Sequence, residues 1–309
     1  MKYTIALTGA TGFIGATIAR RLLAEGCKIR ALTRATSDRS PLAGLDVHWV
    51  EGALENLDSL SRLVFGVEAV VHCAGAVRGA TQNHFKRINV DGVARLVYAA
   101  ARQHPLPRFL LISSLAAREP ELSFYASSKR QGEAVLAAQA GQMQCAAFRP
   151  SAVYGPGDKE MLPLLRWMAR GFAFVPGSGN GRVSMLYVND LAEAVLKWLQ
   201  EANFPKAIYE LHDGQPDGYS WQDVIDTVGN LMGKRVRCVT IPPVVLKAVA
   251  GLNLKAALVF RYAPMLTPGK LRELTHADWV CDNTAITRES GWTPQISLEE
   301  GLRRTLNLG

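Results

Sequence analysis

The residues best suited to chemistry lie near the middle of the chain. The pair Ser113-Ser114 ends an apolar run, and Tyr125-Ala126-Ser127-Ser128-Lys129 follows shortly after. A tyrosine hydroxyl ionises at about pH 10 in water and is a poor acid or base near neutrality. A lysine four residues along a helix shares its face, and the ammonium favours the phenolate. Tyr125 with Lys129 is therefore a candidate proton donor or acceptor, and Lys129 can also hold a ribose. Ser114, after Phe109-Leu110-Leu111-Ile112, sits where ligands gather at the carboxyl ends of parallel strands and can orient a carbonyl or alcohol. Taken alone, Tyr125 reads as a helix-start aromatic and Lys129 as a solvated cation.

A second group of residues gives them a partner. Thr8-Gly9-Ala10-Thr11-Gly12-Phe13-Ile14-Gly15 lies where a short apolar strand yields to an amphipathic helix. Such a turn lets the backbone approach a pyrophosphate and sets that phosphate at the positive end of the helix. In this order and spacing, the glycine turn, the serine and the Tyr-x-x-x-Lys point to transfer of a hydride. The second strand ends in Leu32-Thr33-Arg34, where an acid reads an unphosphorylated adenosine ribose and an arginine suits a 2′-phosphate. The acid is absent, and Arg34 and Arg39 are available, so NADP is expected ahead of NAD. The competing reading makes Arg34 a solvated loop residue with Asp38 as its partner.

The elements that must position these residues alternate. Strands are expected at Tyr3 to Leu7, Lys28 to Leu32, Val47 to Val50, Ala69 to His72 and Phe109 to Ile112, with helical stretches between them and the first helix over Gly12 to Ala24. This pattern implies an α/β fold, a Rossmann-type doubly wound parallel sheet with a smaller C-terminal substrate lobe. Residues 1–155 form the expected NADP-binding domain and 156–309 mainly the substrate lobe, with 183–200 returning to the sheet domain. There is no internal repeat and no low-complexity segment.

Composition narrows the function classes. The 309 residues are 48% hydrophobic and 20% charged, enough for a large core. Cys27, Cys73, Cys145, Cys238 and Cys281 are scattered, without zinc-ligand spacing or the density of a disulfide scaffold, so no metal is expected and a reduced, cytoplasmic protein is. Met1 to Leu7 is too short for a signal-peptide apolar region. The net charge is +8, yet no basic stripe with interleaved aromatics is visible, which argues against nucleic acid. A small anionic substrate, an acidic carrier protein or a peripheral membrane contact uses such a charge instead.

With these motifs in view, the chain resembles the extended short-chain dehydrogenases/reductases, the NAD(P)-dependent epimerase/dehydratase family, closest to its dihydroflavonol-reductase and 3β-hydroxysteroid-dehydrogenase branches. The similarity runs through Thr8 to Gly15, Val70-Val71-His72-Cys73-Ala74-Gly75, Arg87-Ile88-Asn89-Val90-Asp91-Gly92, Ile112-Ser113-Ser114, Tyr125 to Lys129, Arg149 to Asp158, Tyr187 to Ala192 and Gly291-Trp292-Thr293-Pro294. The resemblance implies that Ser114, Tyr125 and Lys129 form a catalytic triad supported by Asn89. It further implies a cofactor held by Thr8, Gly9, Thr11, Gly12, Phe13, Ile14 and Gly15, flanked by Cys73, Ala74 and Gly75, and met at the nicotinamide by Pro150 to Val153. A homodimer is common among such relatives.

Departures from the pattern carry information too. Ala152 stands where many sugar-nucleotide epimerases have Asn. Leu115 and Ala116 stand where the dehydratases place Asp and Glu, and the segment from Ser114 to Tyr125 is short for a nucleotide sugar. Ala53-Leu54 replaces the common Asp-Leu pair near the adenine. The stretch Pro242 to Phe260 is apolar but interrupted by Lys247 and Lys255, so it is not expected to span a membrane. Three uses remain for it: a core helix of the small lobe, the lining of an apolar pocket, or a helix on an anionic membrane surface. The reading reached from sequence is an NAD(P)-dependent oxidoreductase acting on a carbonyl or secondary alcohol of an apolar substrate. The alternatives are a nucleotide-sugar epimerase and a non-catalytic cofactor-binding regulatory or assembly protein.

Overall fold

The structure is a computed structural model that describes residues 3–176, 181–201, 204 and 207–308. The first half alternates as the sequence pattern requires. In order come β1 (Thr4–Thr8), α1 (Phe13–Ala24), β2 (Lys28–Thr33), β3 (Val47–Glu51), α2 (Leu57–Val64), β4 (Ala69–His72), α3 (Gln82–Asn89), α4 (Asp91–Ala100), β5 (Arg108–Ile112), α5 (Phe124–Gln139) and β6 (Cys145–Pro150). Strands β1 to β5 lie within a residue of their expected spans, and β6 was not among the expected strands. The second half is more broken: β7 (Ala152–Tyr154), α6 (Leu162–Ala169), β8 (Phe172–Pro176), β9 (Arg182–Val183), β10 (Met185–Tyr187), α7 (Val188–Gln200), β11 (Ile208–Leu211), β12 (Tyr219–Ser220), α8 (Trp221–Leu231), β13 (Arg237–Ile241), α9 (Pro243–Phe260), α10 (Pro268–Thr275), β14 (Asp278–Trp279), α11 (Thr284–Ser290) and α12 (Leu298–Thr305).

Seven strands form one all-parallel sheet in the order β11-β6-β5-β4-β1-β2-β3. It is a Rossmann-type doubly wound fold, and the strand order reverses between β1 and β4. Both faces are covered, which is why the strands read as continuous apolar runs rather than alternating ones. Successive side chains still point to opposite faces. Ile5 and Leu7 join the core formed with α1 and α7, whereas Ala6 joins the core formed with α2, α4 and α5.

Helix α7 lies on α1, where Glu193 accepts from Arg21 Nε at 2.6 Å. The sheet also takes its edge strand, β11, from the stretch expected to belong mainly to the lobe. Near the C-terminus the buried Trp292 donates from its indole nitrogen to the Asp190 carbonyl at 3.1 Å. The Asp190 carboxylate accepts from the amides of Gln295 and Ile296. A separate apolar core, including Tyr154, Met168, Val175, Tyr187, Ile225 and Leu302, holds the lobe together.

Helix α9 does not serve as a core helix. Of its side chains only Leu246, Ala250 and Ala257 are buried. It is also the one helix among the described residues long and apolar enough, by length and composition, to cross a membrane.

Candidate active site

The β1–α1 turn is built for close approach. Gly9 has φ +73°, and a Cβ there would lie 2.7 Å from the Ala74 amide nitrogen; a Cβ at Gly15 would lie 2.1 Å from the Gly9 carbonyl oxygen. Only glycine lets β1, α1 and the end of β4 come this near. Gly12 is the N-cap of α1 and donates to the Gly9 carbonyl at 3.0 Å. No side chain caps the helix, and no acid lies in its first turn. The first amides of α1 are thus left for an anion, at the switch point of the sheet. A pyrophosphate fits this cradle. Thr11, Phe13 and Ile14 line the same turn, with Phe13 facing Gly157 across the cleft side.

The Thr8 hydroxyl ties the turn to β4. It is hydrogen-bonded to His72 Nδ1 at 2.6 Å and accepts from the Ala74 amide at 3.1 Å. Burial, with help from the charge of Lys129, pushes His72 down to about 3, so its ring is neutral. Burial likewise pushes Cys73 up to about 12, leaving an unreactive thiol.

At the adenosine end, Thr33 is buried and Arg34 is exposed at the end of β2. Asp38 accepts from the Ser40 amide and hydroxyl, both at 2.9 Å, and these bonds hold its carboxyl below the usual range. Arg34 enters none of the ion pairs among the described residues, so Asp38 is not its partner here. Arg39 stacks over Trp49 at 5.3 Å. The Ala53 carbonyl accepts from Asn56 and Ser59, and Leu54 packs under Gly92 at the start of α4.

The residues expected to carry chemistry converge at the carboxyl ends of β4, β5 and β6. Ser123 caps α5 by accepting from the Ala126 amide at 2.9 Å, which starts the helix in time to present Tyr125 in its first turn. The Ser114 hydroxyl is hydrogen-bonded to the Tyr125 phenol. Lys129 is 8% exposed and donates to the Ile112 carbonyl at 3.0 Å. A Cβ at Gly75 would lie 3.2 Å from both Lys129 Nζ and Asn89 Oδ1, so glycine keeps this corner open. Asn89 accepts from the Ala76 amide at 2.8 Å and donates to the Ala76 carbonyl and to Ser128 Oγ, joining the β4 loop to α5.

The electrostatics differ from the simple pairing of Tyr125 with Lys129. Burial around the hydroxyl pushes Tyr125 up to about 12; the Ser114 hydrogen bond opposes this, and the charge of Glu273 adds to it. Burial also pushes Lys129 down, opposed by the neighbouring Cys73 sulfur and the Glu133 carboxylate. In this geometry the phenol is held protonated rather than poised as phenolate.

Two clusters were not anticipated. Beneath Lys129, the buried Glu133 accepts from Arg149 at 2.9 and 2.6 Å and from Ser113 at 2.5 Å, fastening α5 to β5 and β6. Its spacing of four from Lys129 places it on the same helix face, which is the one signal the sequence carried. Above Tyr125, Glu273 of α10 accepts from Ser123 and from Lys270 Nζ at 2.8 Å, and Lys270 Nζ stands 5.8 Å from the Tyr125 ring centre. On the β6 side, Pro150 and Val153 flank Ser151, whose hydroxyl is buried and has no partner among the described residues.

Comparison with known proteins shows the family and the fold. The chain is 36% identical over 304 residues to ceramide reductase of Caulobacter vibrioides, covering 98% of this chain and 93% of that one. It is 29% identical to 2-alkyl-3-oxoalkanoate reductase of Stenotrophomonas maltophilia, with 97% of each chain covered. Among solved structures, UDP-glucuronic acid 4-epimerase of Bacillus cereus superposes with a TM-score of 0.78 at 18% identity, covering 98% of each chain, a likeness of fold. The sequence model of the NAD dependent epimerase/dehydratase family matches residues 5–211. With the glycine cradle, the Ser-Tyr-Lys constellation and these matches together, the chain belongs to the NAD dependent epimerase/dehydratase family and is an NAD(P)-dependent enzyme of short-chain dehydrogenase/reductase type.

Proposed function

We propose that the protein is an NADP-dependent reductase of a ketone carried on a long-chain, apolar molecule. The observation that carries the reading is the wall behind Ser114. Leu115, Ala116 and Ala117 form a short 3-10 turn and are all buried, so this wall is apolar and itself carries no acid, the carboxylate nearest Tyr125 being Glu273 of α10. The segment to Tyr125 is taken up by that turn, leaving no long loop to close over a nucleotide sugar. The relatives named above are called ceramide reductase and 2-alkyl-3-oxoalkanoate reductase, and long-chain molecules of those classes suit this wall.

The bound dinucleotide supplies the hydride. Ser114 would polarise the carbonyl oxygen, and Tyr125, protonated through neutral pH, would donate its proton to that oxygen as the carbon is reduced, giving a secondary alcohol. The phenolate left behind regains a proton from solvent. Lys129 would hold the nicotinamide ribose and steady that phenolate, and Asn89 would act as a positioning residue through Ser128 and Ala76. Arg34, exposed and outside every described ion pair, would meet the 2′-phosphate, with Arg39 held nearby on Trp49. The test is calorimetric: Arg34→Ala should weaken NADPH about tenfold or more, as loss of a charge-assisted contact requires, and leave NADH nearly unchanged. Equal losses for both would remove Arg34 from phosphate recognition.

A further inference from the structure

Helix α9 is apolar nearly all round, and a helix of that kind is normally buried in protein or in lipid. Here Val244 is 77%, Val259 73% and Phe260 76% exposed, and Leu252 and Leu258 are also open. The apolar ground continues along the chain. Strands β8 and β13 pair in parallel, with Phe174 opposite Val239, and both side chains are exposed. Trp167 of α6 packs edge-on against Phe174 at 5.9 Å and is itself nearly half exposed.

Charge identifies what covers this surface. Residues 161–189 carry three Lys and Arg, residues 227–272 carry eight, and neither stretch contains an Asp or Glu. Residues 156–309 as a whole carry 17 Lys and Arg against 16 Asp and Glu, so the positive charge of the lobe is segregated into these two acid-free stretches rather than spread over it. Arg166, Arg170, Lys234, Arg237, Lys247, Lys255 and Arg261 are exposed, and none enters an ion pair among the described residues. Apolar and aromatic side chains rimmed by unpaired cations match the interface of an anionic bilayer. A second copy of this chain would bring the same cations face to face.

Spanning is excluded by the flanks. On one side β13 is paired with β8; on the other α10 is docked to the catalytic half, with Arg272 Nε donating to the Leu122 carbonyl at 2.8 Å. A helix whose two ends return to the same folded lobe lies in the plane of the surface. At 18 residues it is about 27 Å long.

We infer that α9, with the exposed faces of β8, β13 and α6, seats the protein on an anionic phospholipid bilayer and so sets the catalytic tyrosine beside a lipid source of substrate. The path is short. Asn253 of α9 donates to the Leu266 carbonyl at 2.7 Å just before α10, and Lys270 of α10 stands beside the Tyr125 ring.

The test is flotation of the full chain with vesicles of phosphatidylcholine alone and of phosphatidylcholine containing about one-third phosphatidylglycerol. Binding should occur on the anionic vesicles, weaken with added salt and be lost in the double variant Val259→Asp, Phe260→Asp. The double variant Lys247→Ala, Lys255→Ala should lose about twenty-five-fold, at about fivefold per cation. NADPH binding should be unchanged in both, which shows that the fold and the cofactor site are intact. Equal flotation on both vesicle types, or none on either, would overturn the inference. So would a dimer in light scattering that Val259→Asp, Phe260→Asp converts to monomer without any vesicle binding. Because no turnover is read, the outcome is independent of whether the protein is a reductase.

Discussion

The catalytic helix α5 is held to the sheet by one buried ion pair, and Glu133→Gln tests how much it matters. Glu133 is 5% and Arg149 6% exposed, and the two side chains meet through two hydrogen bonds. Neutralising Glu133 leaves the guanidinium buried with only Glu210, at 3.8 Å, as counter-charge. Removing one partner of such a pair costs about 3–5 kcal/mol. Unfolding entropy for a chain of 309 residues is about 0.65 kcal/mol/K, so Tm should fall by about 5–8 °C. The double variant Glu133→Leu, Arg149→Met removes both charges and should recover most of the loss, because the penalty lies in the orphaned charge rather than in the missing bond. Differential scanning calorimetry of the three proteins decides it. A Glu133→Gln protein melting within about 1 °C of the parent, or a double variant less stable than the single one, would refute the reasoning.

Further outcomes follow from the site. In Gly15→Ala the new methyl meets the Gly9 carbonyl oxygen at 2.1 Å, so the turn must open; NADPH affinity should drop at least about tenfold, with about 1–3 kcal/mol of stability lost, as calorimetry and melting would record. For pH, the sign is set by the raised Tyr125 value. The protonated donor persists up to about 12 in the free enzyme, so kcat/KM for ketone reduction should show no downward limb from this group below about pH 10, where an ordinary tyrosine would ionise. Alcohol oxidation needs the phenolate and should rise about tenfold per pH unit over the same range. A downward limb near neutrality in the reduction profile would contradict this.

How much of this was legible in the sequence depends on the range of the interactions. The sheet strands, the glycine turn and the Tyr125 and Lys129 pair depend on local spacing, and local spacing is what a sequence displays. The Glu133, Arg149 and Ser113 cluster depends on α5 crossing β5 and β6, and only the spacing of Glu133 from Lys129 hinted at it. The contact of Glu273 and Lys270 with Ser123 and Tyr125 joins residues nearly half the chain apart, and no periodicity encodes it. The raised Tyr125 value follows from burial and from Glu273, so a reading based on Lys129 alone gave the opposite sign. Edge strand β11 was hidden in a stretch where the strand and helix rhythm had already broken. For α9, composition left a core helix, the lining of an apolar pocket and a helix on an anionic membrane surface all open. The absence of any acid from residues 227–272 was the available clue to the last.

The central claim is that Tyr125 donates the proton in a net NADPH-dependent reduction, and one measurement addresses it directly. Nicotinamide absorbance is followed with parent and Tyr125→Phe proteins, NADPH and a long-chain 3-oxoalkanoate. The account predicts steady NADPH consumption by the parent, and for Tyr125→Phe a loss of at least about a hundredfold in kcat with NADPH affinity unchanged. Turnover that survives Tyr125→Phe, or tight NADPH binding by the parent with no consumption of cofactor, would contradict it.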